Sequence, residues 1–384
     1  MTDRTLGAYV HVPFCASRCG YCDFNTYTAS ELTRDSTTVS PATFSPRLIS
    51  EIRLTAEVNH DFVQPLSSVF FGGGTPTLLA TQDLCAILAE LANTYGLSPD
   101  CEVTIEANPD SVDQTYLAQL KQGGFNRISF GHQSSSSRVL QILDRTHTAG
   151  RTWQAINWAR DAGFEHINVD LIYGTPHETD ADLLQTLAEV SSAPVDHVSA
   201  YSLIVEPGTR LAASIKRGEL PMPSDDVAAH RYGLIDDALT QIGMSWYEVS
   251  NWSLPGAQCQ HNIGYWQNQD WLGLGPGAHA HFNGLRRWNV KHPAAWANSV
   301  DEHELPIGDT EALTPADIFR ENIMLGLRLK TGIPIDSLTD SGVLVANQAL
   351  AEGLLEPNEF SNGALVLTYQ GRLLADGLVA RLWD

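Results

Sequence analysis

The first 205 residues repeat one pattern, a short β-branched or aromatic run, a turn, and then a stretch of helical periodicity. That alternation is the signature of βαβ units, so it constrains the chain to an α/β architecture around a parallel sheet. Six runs read as strands: Ala8 to Val12, Ser68 to Phe71, Glu102 to Glu106, Arg127 to Gly131, Ile167 to Ile172 and Val198 to Leu203. Helices are expected between them at Gln82 to Tyr95, Thr115 to Gln122 and Asp180 to Ser191, and the Ser/Thr-rich stretch Thr28 to Pro46 reads as a surface loop. Six units make an incomplete (β/α)6, TIM-like barrel or an open sheet. Polar or reactive residues follow the strand ends in CASRC, GGGTPT, EANPD, GHQS and DLIYGTP. In parallel α/β folds ligands bind at the carboxyl ends of strands, so this placement is a functional signal.

The composition changes after this region. An amphipathic helix, Ser224 to Ile242, with Ser224 as N-cap before two aspartates, leads into a segment from Trp246 to Trp296 that holds six of the nine tryptophans and four of the thirteen histidines. The last seventy residues read as helix, helix, strand, helix: Thr314 caps a helix with Pro315 at its first position, a second includes Leu344 to Leu355, and ALVLT precedes YQGRLLADGLVARLW. The expected division is a barrel core at 1–243, an aromatic and His-rich extension at 244–309 and a small helical, winged-helix-like domain at 310–384. Nucleic acid is excluded as a partner of that domain because Lys+Arg 23 against Asp+Glu 45 gives a net charge of −22, which repels phosphate. No apolar run approaches the ~18 residues of a membrane span, and the start MTDRTLGAYVHVPFC has no signal-peptide core, which points to a cytoplasmic protein rather than a membrane protein.

Cys15, Cys19 and Cys22 are crowded together, while Cys85, Cys101 and Cys259 stand singly. Disulfide scaffolds spread their cysteines through short chains, so the trio reads as a metal or cluster site and the others as small buried residues. Three thiolates at these spacings can hold a cubane and leave its fourth iron open; the alternative is zinc completed by a distant histidine.

The run YVHVPFCASRCGYCDF resembles the signature of the radical S-adenosylmethionine superfamily, and GGGTPT, Gly72 to Thr77, is similar to its glycine-rich methionine site. The resemblance narrows to the group of oxygen-independent coproporphyrinogen III oxidase and covers nearly the whole chain. It implies a 4Fe-4S cluster on Cys15, Cys19 and Cys22, with S-adenosylmethionine on its open iron. The pattern for that molecule falls on Tyr9, Gly73 and Glu106; the oxidase's pattern for a second one falls on Tyr21, Gly74, Thr75, Gln133, Arg145 and Asp170. Carboxylates there can accept from hydroxyls or an amine, and an arginine can grip a carboxylate as a fork.

Three features depart from the oxidase. Its further cysteine, two positions after the third, is Phe24 here; only fourteen residues precede Cys15; and HNIGYW, His261 to Trp266, resembles the HNxxYW motif of a sister group of haem chaperones. The chaperone resemblance implies haem as cargo, handed to acceptors such as respiratory haem enzymes, membrane-associated ones included, with His261 as the first choice of iron ligand, Tyr265 and Trp266 walling the ring, and His279 and His281 as weaker choices. His11, on the first strand, reads as a packed histidine. The enzymatic alternative is oxidative decarboxylation of coproporphyrinogen III to protoporphyrinogen IX by a deoxyadenosyl radical.

Overall fold

All six strands form; five extend beyond the run that marks them, and the sixth is shifted by one residue, to His197–Ser202, leaving Leu203 outside. The computed structural model describes residues 4–34, 39–145, 148, 150–282 and 284–383. Strands β1 (Leu6–Val12), β2 (Leu66–Gly73), β3 (Leu97–Ala107), β4 (Arg127–Gln133), β5 (His166–Tyr173) and β6 (His197–Ser202) lie side by side in chain order and run parallel. Between them run helices α1 (Pro41–Val58), α2 (Thr81–Tyr95), α3 (Gln114–Gln122), α4 (Arg151–Ala162) and α5 (Asp180–Ser192), and α6 (Asp225–Gln241) follows β6.

The sheet continues past both edges. At one side β7 (Ser245–Glu248) and β8 (Asn251–Ser253) add antiparallel; at the other, β9 (Asp270–Leu274) pairs parallel to β1 and carries β10 (His279–Phe282), β11 (Leu285–Asn289) and β12 (Ile307–Ala312). The strand order is β12-β11-β10-β9-β1-β2-β3-β4-β5-β6-β8-β7. In a flat sheet β2 and β6 would stand roughly 19 Å apart, four strand spacings. Gly73 of β2 and Ser202 of β6 nevertheless line one cavity, so the sheet curls into a partial barrel. Both of its faces are covered, which is why Val69, Phe71, Ile105, Ile128, Phe130 and Val169 are buried against the helices.

The expected loop at Thr28 to Pro46 is corrected where it is described; residues 35–38 lie outside the described residues. Ala29–Arg34 is helical and α1 starts at Pro41, whose missing N–H costs nothing in the first turn. Phe44, Leu48, Ile52 and Thr55 form its buried stripe, most of it beyond the Ser/Thr-rich stretch. The C-terminal region has its own apolar core, including Ile323, Leu327, Leu355, Leu378 and Leu382. There the second helix spans Asp340–Ala351 and ends before Leu354, only Ala364–Leu365 of ALVLT pairs as strand, and the last helix breaks at Leu374 into Tyr369–Leu373 and Ala375–Leu382. Among the described residues no helix is long and apolar enough to cross a membrane.

Candidate functional site

The cysteine loop leaves β1 and is pinned at several points. Phe14–Cys15 pairs with Tyr27–Thr28, Gly20 N–H donates to Leu143 O at 3.0 Å, and Asn25 Nδ2 donates to the carbonyls of Pro276 and Lys291. The glycine turn after β2 lies directly against this loop, with Gly74 N–H on Val12 O at 2.8 Å and Thr75 N–H on Phe14 O at 2.7 Å. A Cβ at Gly74 would meet Phe14 O at 2.4 Å, and one at Gly73, which has φ +107°, would meet the His11 ring at 2.6 Å. Side chains are therefore excluded at both positions, and the backbone is left open to the cavity.

That cavity, of about 570 Å³, sits at the carboxyl ends of the strands. Cys15, Cys19, Cys22, Tyr21, Gly73, Gly74, Thr75, Glu106, Gln133, Arg145 and Asp170 all line it, so eleven residues expected from separate motifs are brought together. Tyr9 does not line it; its half-buried ring stacks on Phe70 and its hydroxyl meets His11 Nδ1 at 3.0 Å. Arg145 Nη1 lies 3.5 Å from Cys19 Sγ and Nη2 donates to Gly131 O, while the buried Nε has no partner among the described residues. Gln133 holds a left-handed backbone, φ 69°, at the end of β4. Burial first, then the charge of Asp170, push Glu106 up to about 8, against the opposing bond from Gly73 N–H at 3.2 Å. Burial also raises Asp170, although Ser129 Oγ at 2.8 Å and Asn168 Nδ2 at 2.7 Å donate to it. Burial raises the Cys15 and Cys22 thiols as well. The three thiols of Cys15, Cys19 and Cys22 share the lining of this cavity, the arrangement a cluster with one open iron needs. The orphaned Arg145 Nε and the paired buried carboxyls fit a ligand bearing both anionic and cationic groups.

The structure puts His261 elsewhere. It belongs to α7 (Gln260–Trp266), beside the starting ends of β1 and β2, with Nδ1 2.8 Å from Ser68 Oγ and Nε2 2.8 Å from Tyr265 Oη. Glu102 Oε1 accepts from the His261 N–H and the Cys259 thiol, and its Oε2 from the Gln260 N–H, so a buried carboxylate caps this short helix. Both ring nitrogens are occupied, and burial drives the imidazole down to about 3. His281 is buried on Gln269 O. His279 differs: it is exposed and stacked on Trp288 at 5.6 Å. Cys101 and Cys259 are buried and Cys85 is half-buried, all three outside the cavity.

Residues 9–190 match the family model of the radical SAM superfamily. The chain is 44% identical over 382 residues to the haem chaperone HemW of Mycobacterium tuberculosis, covering 100% of this chain and 96% of that protein. It belongs to the HemW family of radical SAM proteins. HemW of Bacillus subtilis is 32% identical, covering 96% of this chain and 97% of its own length. The mouse mitochondrial radical S-adenosyl methionine domain-containing protein 1 is 34% identical, covering 94% and 82%. The HemW fold is shared with coproporphyrinogen III oxidase of Escherichia coli, at a TM-score of 0.83 and 24% identity, over 100% of this chain and 90% of the oxidase.

The sequence reading missed the polar residues that lie between the cavity and α7: Ser129, Asn168, Ser199, His197 and Tyr247. For the first four the signal was present as polar residues alternating with apolar ones in strands covered on both faces, Arg127 and Ser129 in RIS, Asn168 and Asp170 in NVD, and His197 and Ser199 in HVS; Tyr247 has no such signal. An inward polar column is the consequence of such alternation.

Proposed function

We propose that this protein binds haem and hands it to acceptor proteins, holding a 4Fe-4S cluster on Cys15, Cys19 and Cys22 and S-adenosylmethionine in the adjoining cavity. The observation that carries this reading is the 44% identity to a haem chaperone over 382 residues, a span that includes the barrel and the C-terminal module alike. A cubane held by three thiolates supplies an open iron that the amino and carboxylate groups of S-adenosylmethionine can occupy. The chain's own residues then divide the binding: Gly73 and Gly74 let the methionine end approach backbone, Arg145 meets a carboxylate, and Glu106 and Asp170 take an amine or ribose hydroxyls.

Geometry supports moving the iron ligand from His261 to His279. Ligation by His261 would break two buried hydrogen bonds and require α7 to shift. His279 makes no hydrogen bond through its ring among the described residues, and partial burial together with Lys291 and Arg286 lowers its pKa, which favours the neutral imidazole that iron needs. Trp288 offers a ring to the macrocycle, and the exposed Lys291 offers a cation to a propionate. This strip borders the cysteine loop through Asn25, and Phe24, 60% exposed, stands at the cavity mouth.

The test is haem titration followed by transfer to an apo-acceptor, with coproporphyrinogen III turnover assayed in the same anaerobic preparation. The expected result is a Soret band that shifts in His279→Ala, is kept in His261→Ala, and is accompanied by no carbon dioxide release. Decarboxylation dependent on S-adenosylmethionine and an electron donor would overturn the chaperone reading. A spectrum altered by His261→Ala and untouched by His279→Ala would return the ligand to His261.

A further inference from the structure

A buried hydrogen-bond chain joins the HNIGYW helix to the cavity carboxyl Asp170. Asn168 Nδ2 lies 2.7 Å from Asp170 Oδ1, 2.7 Å from Ser129 Oγ and 3.0 Å from Ser199 Oγ. Its Oδ1 lies 2.6 Å from His197 Nδ1, His197 Nε2 lies 2.9 Å from Tyr247 Oη, and Asn262 Nδ2 donates to Tyr247 Oη at 3.2 Å and to Glu248 Oε1 at 3.3 Å. Asn168, His197 and Tyr247 are all buried.

The direction of every bond follows from chemistry. An ionised carboxylate only accepts, so Asn168 must turn its NH2 toward Asp170 and its carbonyl toward His197. His197 Nδ1 must then carry the proton, which leaves Nε2 as acceptor for the Tyr247 hydroxyl, and the Tyr247 oxygen takes the Asn262 amide. This needs a neutral imidazole with one donor and one acceptor, and burial, with Arg127 nearby, holds His197 neutral. An asparagine amide is otherwise free to flip, and a flipped Asn168 would set its carbonyl against Asp170 and leave two buried acceptors facing each other.

We propose that His197 and Tyr247 are positioning residues for S-adenosylmethionine binding: they lock the Asn168 amide so that Asp170 presents a hydrogen-bonded, correctly aimed carboxylate to the cavity, and Asn262 of HNIGYW anchors the far end of the chain. This rests on the reading of Asp170 as a ligand-holding residue. It gives the motif a task inside the barrel, at a distance from the ligand that the motif itself never touches.

The experiment measures S-adenosylmethionine affinity by calorimetry on anaerobic, cluster-loaded protein, with iron content as the check on folding. Tyr247→Phe keeps shape and removes one hydroxyl; it should weaken binding about tenfold, the effect of one mispaired buried group. His197→Leu should weaken it at least as much, while His197→Gln, which retains a donor toward Asn168, should restore most of it. Thr104→Val, at a buried hydroxyl with no partner among the described residues, should leave affinity unchanged. In an Asp170→Asn background, Tyr247→Phe should add nothing. Wild-type affinity in Asp170→Asn would overturn the ligand role of Asp170 and this chain with it. Weak binding in Asp170→Asn with wild-type binding in Tyr247→Phe would overturn the chain alone. If His197→Leu loses its iron, the Asp170 and Tyr247 cycle decides, and additive losses overturn the proposal.

Discussion

Glu106 and Asp170 face the same cavity from strands two apart in the sheet, and a buried pair of acids resists both being charged at once. Glu106, pushed up to about 8, carries a proton at neutral pH, whereas a bound sulfonium cation and the N–H groups of an iron-bound amine both favour the carboxylate. Binding must then release a proton, so S-adenosylmethionine affinity should rise as pH increases toward about 8 and level off above it. Glu106→Gln should bind more weakly and flatten that slope to the part that comes from the amine's own deprotonation on binding iron, which calorimetry in buffers of different ionisation enthalpy will read directly; an undiminished slope in the variant would remove Glu106 from the binding equilibrium. The cysteines allow a complementary check. Replacing Cys15, Cys19 and Cys22 together by alanine should reduce iron from about four atoms per chain to none, and replacing Cys85, Cys101 and Cys259 should leave it unchanged, as iron analysis after anaerobic reconstitution will show. The cavity residues were legible in the sequence because they match the pattern of the family the chain resembles and lie near or just after the carboxyl ends of strands, which converge in a parallel barrel whatever their separation along the chain. His261 was not legible in the same way: HNIGYW specifies residue types and spacing, but which atoms occupy its imidazole depends on Ser68, 193 residues away.

At the scale of elements, α1 shows how a helix can be hidden by its own beginning. Ser40 N–H donates to Thr43 Oγ1 at 3.0 Å, Pro41 takes the first turn, and Pro46 follows inside, so local composition imitates a loop. Its most consequential residue is Glu51, buried and accepting from Gly275 N–H at 2.9 Å, Asn289 Nδ2 at 2.6 Å and Trp296 Nε1 at 2.8 Å. One carboxyl on α1 thus fastens the strands of the extension, β9 and β11, to the barrel helices. Burial pushes Glu51 up to about 7 from an ordinary 4.5, the donors and Arg287 opposing. The folded state therefore binds the proton more tightly than the unfolded chain; the stability this confers is full below about 4.5 and is lost as pH rises through about 7. Glu51→Gln should flatten the stability profile across that interval. It should also cost about 1–3 kcal/mol, because its amide places a donor where donors already point. Urea unfolding at pH 5 and pH 7.5 checks both; an unchanged profile in the variant would assign the pH dependence to other groups.

For the whole molecule, the pattern of apolar residues announces two cores, but not how they are joined, because the joint is polar and made by residues far apart in sequence. Arg372, on the helix Tyr369–Leu373, reaches across to α6: Nη1 lies 3.1 Å from Asp236 Oδ1 and 3.0 Å from Tyr232 Oη, and Nη2 lies 2.8 Å from Asp236 Oδ2. Its guanidinium also lies over the Trp246 ring, 4.5 Å from the centroid, and Asp236 accepts from Trp252 Nε1 at 2.7 Å. Fork geometry and ring stacking together require arginine, so lysine cannot substitute. Losing the fork leaves the half-buried Asp236 with the indole N–H and the charge of Lys330 alone, at a cost of about 1–3 kcal/mol. The module's own core, with Leu355, Leu378 and Leu382, does not depend on that contact. Arg372→Lys should therefore loosen the docking before it unfolds either part: proteolysis should cut between β12 and the helix Pro315–Gly326 in the variant under conditions that leave the parent chain whole, while iron content and S-adenosylmethionine affinity stay at parental values, since the cavity is lined entirely by residues up to Glu206. Cleavage unchanged from the parent would show that the surrounding contacts, such as the Lys330 N–H on Tyr247 O at 2.8 Å, hold the module without the arginine. Lost cofactor affinity would show instead that docking of the module reaches the cavity through Tyr247, the residue at which the module and the buried hydrogen-bond chain meet.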